Sequence, residues 1–109
     1  MTTVSTVQWH RVATRDELPE DEAYPVQVGS ALIALVRSGD EVRAMSNVCT
    51  HEFALLSDGI VEDGCIECPL HQARFDVQTG KRVAGPECQP LRIYPTQVAP
   101  DGSVSVQTD

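Results

Sequence analysis

Two short runs, Cys49-Thr50-His51 and Cys68-Pro69-Leu70-His71, repeat one arrangement, a cysteine followed within three residues by a histidine, with sixteen residues between the runs. Side chains three apart on a strand point to opposite faces, so the second run must curl as a loop if both of its side chains are to reach a common centre. Asn47 ahead of the first run and Pro69 inside the second favour irregular backbone. Whatever fold the chain adopts must therefore present two loops to one point.

The rest of the chain reads as short strands. The candidate strands are 7–13, 24–28, 31–37, 41–46, 60–62, 65–67, 74–76, 91–94, 96–99 and 104–107, and several of them alternate apolar and polar residues. Between them stand Ser38-Gly39-Asp40, Asp58-Gly59, Asp63-Gly64, Thr79-Gly80 and Asp101-Gly102, all read as hairpin signals. One helical turn is expected at Arg15-Asp16-Glu17-Leu18, with Thr14 as N-cap and Pro19 ending it. The acids Glu17, Glu20, Asp21 and Glu22 read as a solvated connection. The fold class is all-β in a single domain: a base of residues 1–45 and 84–109, with 46–83 inserted as a smaller subdomain of hairpins and loops.

A chain of 109 residues can bury roughly 65% of its unfolded surface, enough for one modest core. Its longest apolar run, residues 31–36, falls far short of the ~20 residues that span a bilayer. A formal charge of -8 argues against nucleic acid and anionic membrane and favours basic protein partners. Without a secretory signal, four cysteines suit metal ligands or reduced thiols in a cytoplasmic protein.

Each Cys/His run offers one thiolate and one imidazole. Rieske [2Fe–2S] centres place two Cys on one iron and two His on the other, and two such loops divide in that way. Two ferric ions, two sulfides and two thiolates sum to zero charge, against -2 with four thiolates, which makes the added electron easier to accept. Two Cys and two His also suit tetrahedral zinc, although zinc fingers keep like ligands together, as C-x₂₋₄-C with H-x₃₋₅-H. A third reading leaves the four residues as incidental, but two of the three histidines and two of the four cysteines fall in this pattern.

Cys49-Thr50-His51 and Glu67-Cys68-Pro69-Leu70-His71-Gln72, with Arg74-Phe75-Asp76, Thr79-Gly80-Lys81 and Ile93-Tyr94-Pro95, resemble the Rieske ferredoxins of bacterial aromatic-ring-hydroxylating dioxygenases. That resemblance implies a β-sandwich base with a cluster-binding subdomain, and one [2Fe–2S] cluster on Cys49, His51, Cys68 and His71. It also implies a monomeric carrier that takes electrons singly from an NADH-dependent flavoprotein reductase and gives them to a terminal oxygenase. Gly85-Pro86 resembles the third loop that covers the cluster. The chain departs from many relatives at Glu52 and Ala73, where Gly is common.

Respiratory Rieske proteins resemble the same motif but carry a disulfide between the loops and Ser and Tyr hydroxyls beside the sulfurs. This chain has Ala54, Leu70, Ala73 and Phe75 at those positions, so a potential near the low end of the Rieske range, about -150 mV, is expected. Glu52, Phe53, Leu70, Gln72 and Pro86 are expected to ring the exit for electrons at His51 and His71. Cys65 and Cys88 read as free thiols, Cys65 buried in a strand, and Trp9 and His10 as packing or surface residues. A Rieske oxygenase would need a second iron, for which His10 is the only remaining histidine. A small subunit of another reductase, such as a nitrite reductase, and a structural zinc module are the alternatives to the carrier.

Overall fold

A computed structural model describes residues 8–50, 54–70 and 72–108. Among the described residues, eleven strands lie in three antiparallel sheets. The first holds β1 (Gln8–Thr14), β11 (Ser103–Thr108) and β10 (Thr96–Val98), in that order. The second runs β2 (Ala23–Val28), β3 (Ala31–Ser38), β4 (Glu41–Ser46), β9 (Ile93–Tyr94). The third is a run of hairpins, β5 (Ile60–Glu62), β6 (Cys65–Glu67), β7 (Arg74–Asp76), β8 (Arg82–Ala84).

The middle sheet holds the other two together, and the apolar run of β3 shows how. Ile33, Ala34, Leu35 and Val36 are all buried, so both faces of this strand are covered. Ile33 and Leu35 join Val42, Ala44, Tyr94, Val104 and Val106 in a core shared with the first sheet. Ala34 and Val36 turn the other way and join Met45 in a second core with Leu56, Ile66, Phe75, Cys49 and Cys68. The pairing obeys this division, with Ala34 opposite Met45 and Leu35 opposite Ala44. The hairpin sheet and both cysteines of the motif thus rest on the back of a buried strand.

Most strand expectations hold to within a residue or two, and the differences have local causes. Asp58-Gly59 makes no hairpin: it closes a 3₁₀ turn, Leu56–Asp58, with the Gly59 N–H donating to the Leu56 carbonyl at 2.9 Å. A tight turn at Gly29-Ser30, with Val28 opposite Ala31, joins β2 to β3, and it was not among the expected hairpin signals. β8 is likewise unexpected; it is a three-residue edge strand that pairs irregularly with β7. Leu91 leaves the strand expected over 91–94, because its N–H goes to Gly80 at 2.8 Å and its side chain to the core. Cys65 is half-buried, since Ile66 takes the inward face of β6.

The helical turn spans Arg15–Glu17, with the Thr14 N–H donating to Glu17 Oε1 at 2.8 Å. The acidic connection after it is partly pinned: Glu20 accepts the Gly39 N–H at 3.0 Å, and Arg37 Nη1 donates to the Leu18 carbonyl at 3.3 Å.

Candidate metal centre

The two Cys/His runs occupy loops of one construction. Val48 and Leu55 form an antiparallel bridge at the neck of the first loop, as Glu67 and Arg74 pair at the neck of the second. Inside each neck the cysteine N–H closes the loop onto the carbonyl five residues on, Cys49 to Ala54 at 2.9 Å and Cys68 to Ala73 at 2.8 Å. Positions 48, 49, 54 and 55 thus correspond to 67, 68, 73 and 74, an offset of nineteen. In sequence the second histidine falls one residue later than this offset would place it.

Each loop is anchored from behind. The β6–β7 hairpin carries the second. The first lacks a flanking hairpin and depends on Asn47, which is 3% exposed. The Asn47 N–H donates to Leu32 at 2.8 Å, and its carbonyl accepts the Leu56 N–H at 2.7 Å. Its side-chain oxygen accepts the Ser57 N–H at 2.7 Å, while Nδ2 donates to Ser57 Oγ at 2.9 Å. Sequence reasoning assigned Asn47 a backbone preference and missed this anchoring role. A polar residue sandwiched between Met45 and the first cysteine was the available signal.

A third segment touches both loops. The Thr50 hydroxyl donates to the Gln89 carbonyl. Gly85, at φ +85°, lies so close to the second loop that a Cβ there would come within 2.7 Å of Ala73 Cα and the Gln72 carbonyl. The contacts are with backbone atoms of Gln72 and Ala73, so the close approach requires a residue without a side chain at position 85. Gln72 itself holds φ at 59°, a left-handed conformation uncommon for a residue with a side chain.

Cys49 and Cys68 are both buried in the same core, near enough for the Cys49 thiol to act on the ionisation of Cys68. Burial pushes the Cys68 thiol up to about 11, the Leu70 N–H opposes this, and the nearby Cys49 and Cys88 thiols add to it. A thiol so shifted resists ionisation on its own, yet two buried cysteines side by side suit a soft, thiophilic metal that takes both as thiolates. All four cysteines are free thiols, and Cys88 packs at the edge of the same core.

His51 and His71, with Glu52 and Phe53, lie outside the described residues. Among the described residues no three His, Cys, Asp or Glu side chains converge, so the pair of thiols is the part of the motif that the geometry assembles. Around them Thr50, Pro69, Leu70 and Gln72 are exposed and Pro86 is half-exposed. Ala73 and Phe75 are fully buried in the core. His10 lies on β1 beside a groove lined also by Arg11, Val26 and Gln27, in the base.

Comparison with known proteins fits this arrangement. Residues 8–95 match the model of the Rieske [2Fe–2S] domain. The anthranilate 1,2-dioxygenase ferredoxin subunit of Burkholderia cepacia is 44% identical over 106 residues, 97% of each chain. The ferredoxin component of the naphthalene 1,2-dioxygenase/salicylate 5-hydroxylase systems of a Ralstonia species is 42% identical, over 85% of this chain and 89% of its own. Among solved structures, the ferredoxin of carbazole 1,9a-dioxygenase from Nocardioides aromaticivorans IC177 superposes with a TM-score of 0.85 at 39% identity, over 90% of this chain and 95% of the other. A chain in a complex of reduced oxygenase and oxidized ferredoxin in carbazole 1,9a-dioxygenase gives 0.83 at 34% identity, over 90% and 91%. With twin thiol-bearing loops and this similarity along its length, the protein carries a Rieske-type [2Fe–2S] cluster and belongs to the Rieske ferredoxins of aromatic-ring dioxygenase systems.

Proposed function

We propose that the chain is a one-electron carrier between an NADH-dependent flavoprotein reductase and a terminal aromatic-ring-hydroxylating oxygenase. The observation that carries this reading is the convergence of the buried Cys49 and Cys68 thiols at two matched loops, in a chain whose relatives are named as ferredoxin components. When bound, the cluster supplies a reversible one-electron couple.

The chain's own residues do the holding. Cys49 and Cys68 are proposed to bind one iron and His51 and His71 the other. The Cys49–Ala54 and Cys68–Ala73 backbone bonds fix the directions from which the thiolates approach. Residues 46–83 are proposed as the cluster-binding subdomain on a base of 1–45 and 84–109. The packing of Ile66 and Phe75 on Ala34 and Val36 keeps water from the sulfur side. The carrier is proposed to be a monomer working in the cytoplasm; no helix among the described residues is long and apolar enough to cross a membrane.

Docking is proposed at the exposed rim of Leu70, Gln72 and Pro86, with Glu52 as its acid. Glu52→Lys then slows delivery to the oxygenase and weakens its salt dependence, and unchanged kinetics would remove Glu52 from the interface.

The test of the role is reconstitution with the reductase and oxygenase of the Burkholderia cepacia anthranilate 1,2-dioxygenase. NADH and the reductase should bleach the ferredoxin, and adding the oxygenase, its substrate and O₂ should restore the colour with product formed. Bleaching without reoxidation would point to a partner of another class, such as a nitrite reductase, and no bleaching would refute the carrier role.

A further inference from the structure

We propose that in the Glu67–Arg74 ion pair at the neck of the second loop Arg74 offsets the Glu67 carboxylate and keeps the field at the cluster from the Cys68 side near neutral, a role that rests on reading Cys68 as an iron ligand.

The correspondence between the loops singles out this pair. At the neck of the first loop the bridged residues are Val48 and Leu55, both apolar; the matching residues of the second are Glu67 and Arg74, of opposite charge. Glu67 is covalently next to Cys68. Arg74 is adjacent to Ala73, whose carbonyl accepts the Cys68 N–H. A net charge on this neck thus acts one residue from a buried sulfur.

The geometry suits a field more than a clamp. Arg74 Nε stands 3.6 Å from Glu67 Oε1, too far for a hydrogen bond, and finds no other hydrogen-bond partner although it is buried. Arg74 is held instead by Nη2, which donates to the Glu62 carbonyl at 3.1 Å. A pair built for stability would close to a short, two-pronged contact. Both side chains are only about a quarter exposed, 27% for Arg74 and 23% for Glu67, so water screens their charges incompletely.

Reduction adds one negative charge at the cluster. The Glu67 carboxylate opposes it and the Arg74 guanidinium favours it, so together they nearly cancel. In a chain of formal charge -8, Arg74 prevents one more carboxylate from acting unopposed beside a ligand.

The test is a spectroelectrochemical titration of the holoprotein at one pH and ionic strength, for wild type, Glu67→Gln, Arg74→Gln, the double variant and Arg74→Lys. For a unit charge on the order of 10 Å away in a partly screened environment, Glu67→Gln should raise the reduced-to-oxidised ratio at fixed potential about threefold. At 59 mV per decade that is an upward shift of about 28 mV. Arg74→Gln should lower the ratio by a similar factor, the double variant should return close to wild type, and Arg74→Lys should stay there. A merely structural pair would shift both single variants in the same direction, or shift Arg74→Lys as far as Arg74→Gln; either result overturns the proposal, as does no shift in Glu67→Gln. Loss of the Cys68 ligand reading would appear separately, as a Cys68→Ser protein that keeps the wild-type spectrum.

Discussion

Replacing Asn47 by Ala should loosen the first loop by an amount that the structure lets one work out. The side chain makes two hydrogen bonds to Ser57 from a position 3% exposed, accepting from its N–H at 2.7 Å and donating to its Oγ at 2.9 Å. The hydroxyl of the half-buried Ser57 can turn to water, so its loss costs about 1 kcal/mol. The backbone N–H cannot turn, and leaving it unpaired costs ~1–3 kcal/mol. The sum, roughly 2–4 kcal/mol, is a large part of the ~5–15 kcal/mol that holds a domain of this size together. At ~4–8 °C per kcal/mol, thermal unfolding monitored by circular dichroism should move down by on the order of 10 °C or more. Ser57→Ala, which keeps the N–H bond, should lose only about a third as much. The first loop hangs from this anchor, so Asn47→Ala should also release iron to a chelator faster than wild type. A drop below ~4 °C, or equal drops in the two variants, would show that Asn47 does not anchor the loop in this way.

Gly85→Ala places a methyl within 2.7 Å of Ala73 Cα at a φ of +85°, and should cost several times more thermal stability than Gly39→Ala, which meets open space at φ +63°; equal losses would mean that the third segment does not press on the second loop. Ala73→Ser with Phe75→Tyr should restore donors near the sulfurs and raise the potential, whereas a wild-type titration already clearly positive would refute the low-potential account. Asp101 accepts the Ser103 N–H at 2.9 Å, and that bond holds its carboxyl below its ordinary value of 3.8. The unfolded chain then binds the extra proton first, so this contribution is present above about pH 4 and is lost as pH falls through the lowered folded value. Asp101→Asn should flatten the fall of the unfolding midpoint below pH 4, and an unchanged slope would remove Asp101 from the acid sensitivity.

Features written in neighbouring residues were legible in the sequence. Asp63-Gly64, Thr79-Gly80 and Asp101-Gly102 mark hairpin turns because positive φ and a short polar side chain are local demands. The same Asp-Gly pair at 58–59 misled, since the conformation there is decided by Asn47 holding Leu56 and Ser57 in a 3₁₀ turn, ten residues away in sequence. Residues 31–37 read as a strand, but nothing local in the run told that its alternate side chains feed two separate cores. β8 was invisible because three residues with an irregular register carry no period to read. The Cys/His spacing pointed to Cys49 and Cys68, which are buried in one core, while His51 and His71 lie outside the described residues. The matching necks emerged only from backbone pairing, where Val48–Leu55 and Glu67–Arg74 take up the same place.

The central claim is that Cys49, His51, Cys68 and His71 bind a [2Fe–2S] cluster that takes up one electron. Electron paramagnetic resonance of the dithionite-reduced protein tests it most directly, with Cys49→Ser and His71→Cys measured beside wild type. Wild type should give one rhombic signal with the low average g of a histidine-ligated cluster, absent in Cys49→Ser and moved toward the all-cysteine pattern in His71→Cys. A colourless, silent wild-type protein, or an all-cysteine signal in the wild type, would contradict the account.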